Sequence, residues 1–178
     1  MKTILVAAAA AGLAASTACL RAQSPPAREQ NAFDLVVHLP LREAAVLFGP
    51  EGERLWAGPH WDPQFIYPQP ARDVEGAVFT IHHGSVDAVW VNTAFDLDAR
   101  RFQYVYFIPA IMVSVIDVHF VPIGEDSTSV HVVYTRTAIT AEGDEHVRAM
   151  ADGDRKAGKD WQQAIDEYLA KKPVSAHP

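Results

Sequence analysis

The stretch IMVSVIDVHFVPIGEDSTSVHVVYTRTAIT (111–140) carries most of the information about the fold of this 178-residue chain. Both halves of the stretch are rich in β-branched and aromatic residues, which favour strands, and turn-forming residues separate them. A turn centred on Glu125 places His119 opposite His131. Because parallel strands need long crossover connections, this short link predicts a long antiparallel hairpin.

The two faces of this hairpin differ in polarity. The same register places Val118 opposite Val132 and Phe120 opposite Val130 on one face, whereas Asp117 lies with the two histidines on the other. Antiparallel sheets commonly bury one face and leave the other in water. We therefore expect the even-numbered face to lie against a helix and the odd-numbered face to be exposed.

A long helix is predicted directly after the hairpin. Residues Glu142 to Lys172 repeat apolar side chains at helical spacing, and the acids at the start and lysines at the end suit the helix dipole. The apolar stripe consists of Val147, Met150, Ala157, Trp161, Ile165 and Tyr168. Such a helix would be about 45 Å long. Gly153 and Gly158 weaken its middle, which indicates either a frayed or kinked helix or room beneath it for a bound molecule.

The residues before the hairpin predict one strand, two helical segments and four more strands. Phe33–Leu39 is the first predicted strand, Leu41–Phe48 is a helix, and Glu51–Trp56 is a short helical turn. The further predicted strands are Gln64–Pro68, Gly76–His83, Asp87–Phe95 and Phe102–Ile108. Neither an internal repeat nor a second domain is visible in the sequence.

Turns between these strands place aromatic residues on the inward face. A two-residue turn at 84–85 pairs Phe79 with Trp90, and a turn centred on Asp98 brings two tyrosines of the next strand to the same side. The inward aromatic residues are then Phe79, Trp90, Tyr104, Tyr106 and Tyr134, with Trp161 from the helix. Several such side chains around one space indicate a pocket with apolar walls and a few polar points, and a plain packed core is the alternative.

Arg136 is the charged residue on this inward face. It lies beside Tyr134 and opposite Ser114 in the predicted register. Charged side chains are almost never buried unless they are paired. Arg136 therefore either reaches water at the end of the sheet, or meets an acidic residue or the anionic end of a ligand.

The first 22 residues have the three-part pattern of a secretory signal peptide. A positive start is followed by an Ala-rich apolar run and by Leu20–Ala22, which offers cleavage before Gln23. Ser16–Cys19 resembles a bacterial lipobox that lacks the usual aliphatic residue, and in that interpretation Cys19 would carry a lipid anchor. The sequence predicts an exported protein that is periplasmic or secreted, or alternatively a lipoprotein anchored through Cys19.

Charge and composition exclude several functions. The net charge is −7, and loss of Lys2 and Arg21 with the signal peptide makes it −9, which argues against nucleic-acid binding. No run in the mature chain is long and apolar enough to span a bilayer. The single cysteine excludes an internal disulfide framework, and neither a GxSxG elbow nor a phosphate-binding glycine loop is present.

The eight histidines raise the question of a metal site. His119, His131 and Asp117 share one face, and two imidazoles with a carboxylate can bind iron or zinc. The predicted register places them on the water-facing side, which favours a solvated polar surface, so we predict no metal and no cofactor. His60, which stands beside Trp61 in a loop, is a weaker acid–base candidate.

Three segments resemble the SRPBCC superfamily, which includes polyketide cyclase/dehydrase-like and lipid-transport-like proteins: FGPEGERLWAGPHWDPQFIYP (48–68), GAVFTI (76–81) and VVYTRTAITAEGDEHV (132–147). The resemblance implies an α+β helix-grip (START-like) fold, in which a curved antiparallel β-sheet is wrapped around a long C-terminal α-helix and encloses a deep hydrophobic cavity. The superfamily has no universal catalytic residues, so the resemblance implies none here.

Together these observations predict a signal peptide (1–22), a flexible lead-in (23–32), a START-like domain (33–172) and a C-terminal tail (173–178). The predicted function is binding of a small hydrophobic or lipid-like molecule between the sheet and the helix. The alternative is a cyclase- or dehydratase-type enzyme that acts in the same cavity. The candidate ligand-binding residues are Trp61, Tyr67, Phe79, Trp90, Tyr104, Tyr106, Phe120, Tyr134, Arg136 and Trp161.

Overall fold

The structure of the protein is a computed structural model that describes residues 25–84 and 86–171. The described residues form seven strands and three helices. In chain order these are β1 (Arg28–Val37), α1 (Leu41–Val46), α2 (Pro50–Glu53), β2 (Gln64–Tyr67), β3 (Val78–His83), β4 (Val86–Asp96), β5 (Arg101–Ile108), β6 (Met112–Pro122), β7 (Thr128–Ala138) and α3 (Ala141–Lys171). The predicted signal peptide, Cys19 and the tail 173–178 lie outside the described residues.

The strands form one antiparallel sheet in the order β1-β7-β6-β5-β4-β3-β2. The register that the sequence predicted is confirmed: His119 pairs with His131, and Phe79 pairs with Trp90. Trp90 also pairs with Tyr106 across the next turn. Because successive side chains in a strand point to opposite faces, these pairings decide which residues face α3.

The first strand corrects the predicted flexible lead-in. β1 begins at Arg28, so residues 28–32 of the predicted lead-in 23–32 belong to the sheet. Arg28 pairs with Thr137 and Ala32 pairs with Val133 on β7. The sequence did not indicate this part of the strand because its residues are polar. Backbone hydrogen bonds form the sheet, so every second side chain of an edge strand can be polar and face water.

The core lies between the even-numbered face of the sheet and α3. Val118, Val132, Val147 and Ile165 are at most 2% exposed there. On the opposite face, the side chain of Phe107 is 39% exposed. The predicted inward and outward faces of the sheet are therefore the observed ones, and the fold is the predicted α+β helix grip.

The glycines of α3 have different surroundings, and the helix continues through all of them from Ala141 to Lys171. A Cβ atom on Gly143 would lie 2.0 Å from the carbonyl oxygen of Ile111, and one on Gly158 would lie 3.0 Å from the side chain of Phe33. A Cβ atom on Gly153 would meet nothing within 4 Å. The space that the sequence indicated beneath the helix therefore lies at Gly153, whereas Gly158 allows close packing.

Candidate ligand-binding cavity

A cavity of about 520 Å³ lies between α3 and the inward face of the sheet. Strands β4 to β7 supply one wall, α3 supplies the opposite wall through Gly153 and Trp161, and α2 with the loop after it supplies a third. This volume falls within the range of pockets that hold drug-sized molecules. The cavity exists because the curved sheet and the long helix diverge, and no side chain fills the space beside Gly153.

Tryptophan rings form much of the wall. The ring centroids of Trp56 and Trp161 are 5.1 Å apart, and those of Trp61 and Trp90 are 5.4 Å apart, both in edge-to-face geometry. The indole N–H of Trp56 donates to the carbonyl of Leu47 at 2.7 Å. Likewise, the indole N–H of Trp61 donates to a backbone carbonyl, that of Pro50, at 2.8 Å. Since backbone carbonyls satisfy both donors, these two residues offer a ligand mainly their π surfaces.

Arg136 lies at the sheet side of the cavity and is only 4% exposed. Its Nε and Nη2 atoms each donate to one oxygen of Asp154 at 2.6 Å. Its Nη1 atom donates to the hydroxyl of Ser114 at 3.0 Å and also to the hydroxyl of Tyr106. The sequence left open water, an acidic residue or a ligand as partners of Arg136, and the structure places it on an acidic residue.

The charge of Arg136 is fully engaged by these partners. Burial by itself lowers the pKa of Arg136, but the hydrogen bonds that Arg136 donates to Asp154 outweigh it. Electrostatic interactions with Tyr106, Asp154 and Tyr134 act in the same direction, and the net pKa is raised. The guanidinium carbon also lies 4.6 Å from the ring centroid of Tyr134. Arg136 and Asp154 thus form a neutralised pair, in which few donors are left for an anionic ligand.

Two of the cavity tyrosines, Tyr104 and Tyr134, are held as neutral phenols. The hydroxyl of Tyr104 donates to the carbonyl of Phe48, and burial raises the pKa of Tyr104 well above its ordinary value. Burial also raises the pKa of Tyr134, although the neighbouring Arg136 opposes the shift. Neither phenol is therefore suited to act as a general base near neutral pH.

Glu53, at the end of α2, is a cavity residue that the sequence analysis missed. It is 8% exposed, it lines the cavity, and its carboxyl accepts no hydrogen bond from the residues of the described ranges. Burial, and then the negative charge of Asp73, raise the pKa of Glu53 well above its ordinary value. An acid in a short, polar helical turn resembles a surface charge, so no local pattern distinguished it.

The position of Glu53 depends on how α2 is anchored. The carboxylate of Asp73 accepts the backbone N–H groups of Glu51 at 2.9 Å and Gly52 at 3.3 Å. A Cβ atom on Gly52 would lie 1.8 Å from the carbonyl oxygen of Val46, so only glycine allows this packing against α1. These contacts hold the start of α2 and direct its last residue toward the cavity.

Seven of the ten predicted ligand-binding residues line this cavity: Trp61, Trp90, Tyr104, Tyr106, Tyr134, Arg136 and Trp161. Phe79 and Phe120 lie behind the wall as core residues, with ring contacts to Trp90 and to Phe48, respectively. Tyr67, the tenth candidate, does not line the cavity and is 60% exposed. It lies in β2 at the sheet edge, next to a register shift between Phe65 and Tyr67.

His60, the weaker acid–base candidate, is exposed and lines the same cavity. Trp90, by contrast, is buried in its wall, and the indole N–H of Trp90 has no hydrogen-bond acceptor in the described part of the chain. A ligand atom that accepts this N–H would compensate the cost of burying it.

The predicted water-facing histidines lie outside the cavity. Asp117 is engaged by Arg101, whose Nε donates at 2.9 Å, and by Gln103, whose Nε2 donates at 3.0 Å. His131 lies 2.8 Å from a carboxylate oxygen of Asp34. Within residues 25–84 and 86–171, no group of three histidine, cysteine or acidic side chains is placed to hold a metal ion.

A second depression, of about 620 Å³, lies on the outside of the molecule between β1 and α3. Most of the residues that line it are polar, with Asp34, Lys159 and Gln163 among them. It is wide open to solvent, so the less open cavity between the sheet and α3 is the better candidate site. Among the described helices, none combines the length and the apolar character that a membrane crossing requires.

Solved structures share this architecture. A truncated norcoclaurine synthase from Thalictrum flavum matches with a TM-score of 0.62 at 13% identity, over 84% of this chain and 98% of that chain. Norcoclaurine synthase in complex with dopamine and hydroxybenzaldehyde matches with a TM-score of 0.61 at 13% identity, over 98% and 99% of the two chains. Ara h 8.0201 matches with a TM-score of 0.59 at 11% identity, over 82% and 100%.

Comparisons of sequence add no relative: no protein-family model matches the chain, and no curated protein matches it. At identities this low, the likeness to solved structures establishes the fold. The fold that the resemblance implied is confirmed: the chain has the helix-grip fold that these solved structures share.

Proposed function

We propose that the protein binds a small hydrophobic molecule in the cavity between the sheet and α3. The observation that carries this proposal is a space of about 520 Å³ between the sheet and α3, to whose walls seven tryptophan and tyrosine side chains contribute. A protein without a ligand gains stability by filling such a space, because an apolar cavity forfeits packing contacts. Trp56, Trp61 and Trp161 instead surround the space with flat, rigid surfaces suited to an aromatic or alicyclic ligand.

The structural relatives support the same proposal. Norcoclaurine synthase, which shares the fold, has been solved with dopamine and hydroxybenzaldehyde, both small aromatic molecules. Together with the signal-peptide pattern, the cavity leads us to propose an exported carrier or receptor of such a molecule. The alternative ligand for the same binding function is a lipid-like molecule. Native mass spectrometry distinguishes the two by the mass of the molecule released from the protein.

Binding of N-phenyl-1-naphthylamine, an uncharged fluorophore that brightens in apolar surroundings, tests the proposal. Wild-type protein should bind it saturably. Ala157 lines the cavity from α3, so Ala157→Leu should fill part of the space and weaken binding by roughly tenfold or more. Ala149 is exposed on the same helix, and Ala149→Leu is the matched control that should bind as wild type does. Absence of saturable binding, or equal effects of the two variants, would contradict the proposal.

Glu53 favours a second candidate function, an acid–base enzyme of the cyclase or dehydratase type. Burial raises the pKa of Glu53 well above its ordinary value, so its carboxyl keeps its proton to a higher pH than an ordinary glutamate does and could donate it to a bound molecule. Tyr104 and Arg136 are less suited, since a backbone carbonyl and Asp154 already engage them. The test is incubation of the protein with the ligand recovered from it: conversion that Glu53→Gln abolishes, with binding retained, supports catalysis, and an unchanged ligand contradicts it.

A further inference from the structure

Acidic side chains outnumber arginine and lysine side chains around the cavity. The positive charge of Arg136 is matched by Asp154 through two hydrogen bonds of 2.6 Å. Glu53 and Asp160 also line the cavity, and neither has a cationic partner among the described residues. Glu53 is more than nine-tenths buried, so its carboxyl faces the cavity and not bulk water. Apart from the indole N–H of Trp90, the groups that remain for a ligand to engage are therefore these two acidic side chains.

The aromatic walls of the cavity also favour a cationic ligand. A cation is attracted to the face of an aromatic ring, and tryptophan is the strongest partner. Trp56 meets Trp161 at 62° and Trp61 meets Trp90 at 82°, so the indole planes around the cavity differ in orientation. The indole donors of Trp56 and Trp61, which would favour an anion, are already bound to backbone carbonyls.

We propose that the cavity selects a hydrophobic amine, whose ammonium group pairs with Glu53 while its apolar body lies between the tryptophan rings. This inference rests on the proposed binding function and names its ligand class. The sequence allowed Arg136 to bind the anionic end of a ligand. We no longer expect that, because the guanidinium of Arg136 is already paired with Asp154. Asp160, which is exposed on α3, adds negative potential at the cavity wall.

Binding of an amine should be coupled to release of a proton. Burial raises the pKa of Glu53, so this carboxyl keeps its proton to a higher pH than an ordinary glutamate does, and an ammonium group favours the carboxylate. The affinity for the amine should therefore rise with pH until the pH passes the raised pKa of Glu53. The charged and titratable groups around Glu53 are Glu51, Arg54, His60, Asp73, Tyr104, Tyr134, Arg136, Asp154 and Asp160.

Three naphthalenes of matched shape and different charge test the inference by calorimetry. These are 2-(1-naphthyl)ethylamine, 2-(1-naphthyl)ethanol and 1-naphthylacetate. The wild-type protein should bind the amine roughly tenfold or more tightly than the alcohol, and the acetate most weakly. Titration in buffers of different ionisation enthalpy should show proton release with the amine and none with the alcohol.

Glu53→Gln should abolish both the preference for the amine and the proton release while binding of the alcohol persists. This variant removes a buried acid without changing its shape, so it should fold. Glu51→Gln is the matched control on the same helix, because Glu51 pairs outward with Arg54 and does not line the cavity. Asp160→Asn should weaken binding of the amine less than Glu53→Gln does.

The possible outcomes separate the inference from the proposed function. Binding of the alcohol or the acetate at least as tightly as the amine, or an unchanged preference in Glu53→Gln, overturns the inference and leaves the proposed binding function standing. Failure of all three naphthalenes to bind, together with failure of N-phenyl-1-naphthylamine, overturns both.

Discussion

Arg136 and Asp154 form the buried ion pair beside the cavity, with side chains 4% and 8% exposed. Their attraction and the bidentate geometry offset the desolvation of two charges, and Ser114 and Tyr106 accept from the remaining nitrogen. Removal of one partner would leave an uncompensated charge in an apolar place. The pair therefore ties β7 to α3 and also determines the charge balance of the cavity.

At this scale we predict that Asp154→Ala lowers the free energy of unfolding by about 3–5 kcal/mol, since it leaves Arg136 buried without a counter-charge. Asp152→Ala is the matched control, because Asp152 pairs with Arg155 on the exposed side of the same helix and should cost at most about 1 kcal/mol. Urea unfolding of both variants measures the difference. Equal losses in the two variants would contradict a structural role for the buried pair.

At the scale of the element, α3 combines two requirements that conflict in a uniform helix. It must approach β1 closely, which Gly158 permits at Phe33, and it must stand away from the sheet where the cavity lies, beside Gly153. Glycine in a helix interior is destabilising by up to about 1 kcal/mol relative to alanine. At Gly158 close packing gives a reason for glycine, whereas at Gly153 no steric contact requires it.

We predict opposite results for alanine at these two positions. Gly153→Ala should raise the free energy of unfolding by about 0.5–1 kcal/mol, because it gains helix propensity and its methyl group meets open space. Gly158→Ala should gain less or lose stability, since its methyl group would press on Phe33 at 3.0 Å. Thermal unfolding of the pair provides the measurement. A larger gain at Gly158 than at Gly153 would show that the helix does not pack as described.

At the scale of the whole molecule, the sheet begins close to the predicted cleavage site. β1 starts at Arg28, and the backbone N–H of Ala27 donates to the carboxylate of Asp144 at 2.6 Å. Cleavage before Gln23 would therefore remove no residue of the sheet. The export proposal and the fold are compatible, because the segment with the signal pattern precedes the first strand.

Expression of the full chain in a bacterial host tests export. Intact-mass and N-terminal analysis of the mature protein should find Gln23 as the first residue, and Cys19→Ser should leave the processing unchanged. An acylated chain that starts at Cys19, and is lost in Cys19→Ser, would instead support the lipoprotein alternative. A chain that retains residues 1–22 and stays in the cytoplasm would contradict export altogether.

The sequence by itself determined the strands, the long helix and the inward face of the sheet. Val118 with Val132 and Phe79 with Trp90 could be paired correctly, because alternation along a strand and turn position are local signals. Such signals also placed seven of the ten proposed ligand-binding residues on the cavity wall. They missed the edge strand that begins at Arg28, where the residues are polar, and they did not indicate that Tyr67, beside a register shift in β2, is exposed.

Only the tertiary structure decided the size of the cavity and the state of its charges. Arg136 and Asp154 come from different elements, and the sequence alone could not say whether the guanidinium meets water, an acid or a ligand. Glu53 is buried only because Asp73 anchors α2 and Gly52 lets it pack on α1. The physical reason is that burial and pairing depend on contacts between distant residues, whereas periodicity records only which side chains share a face.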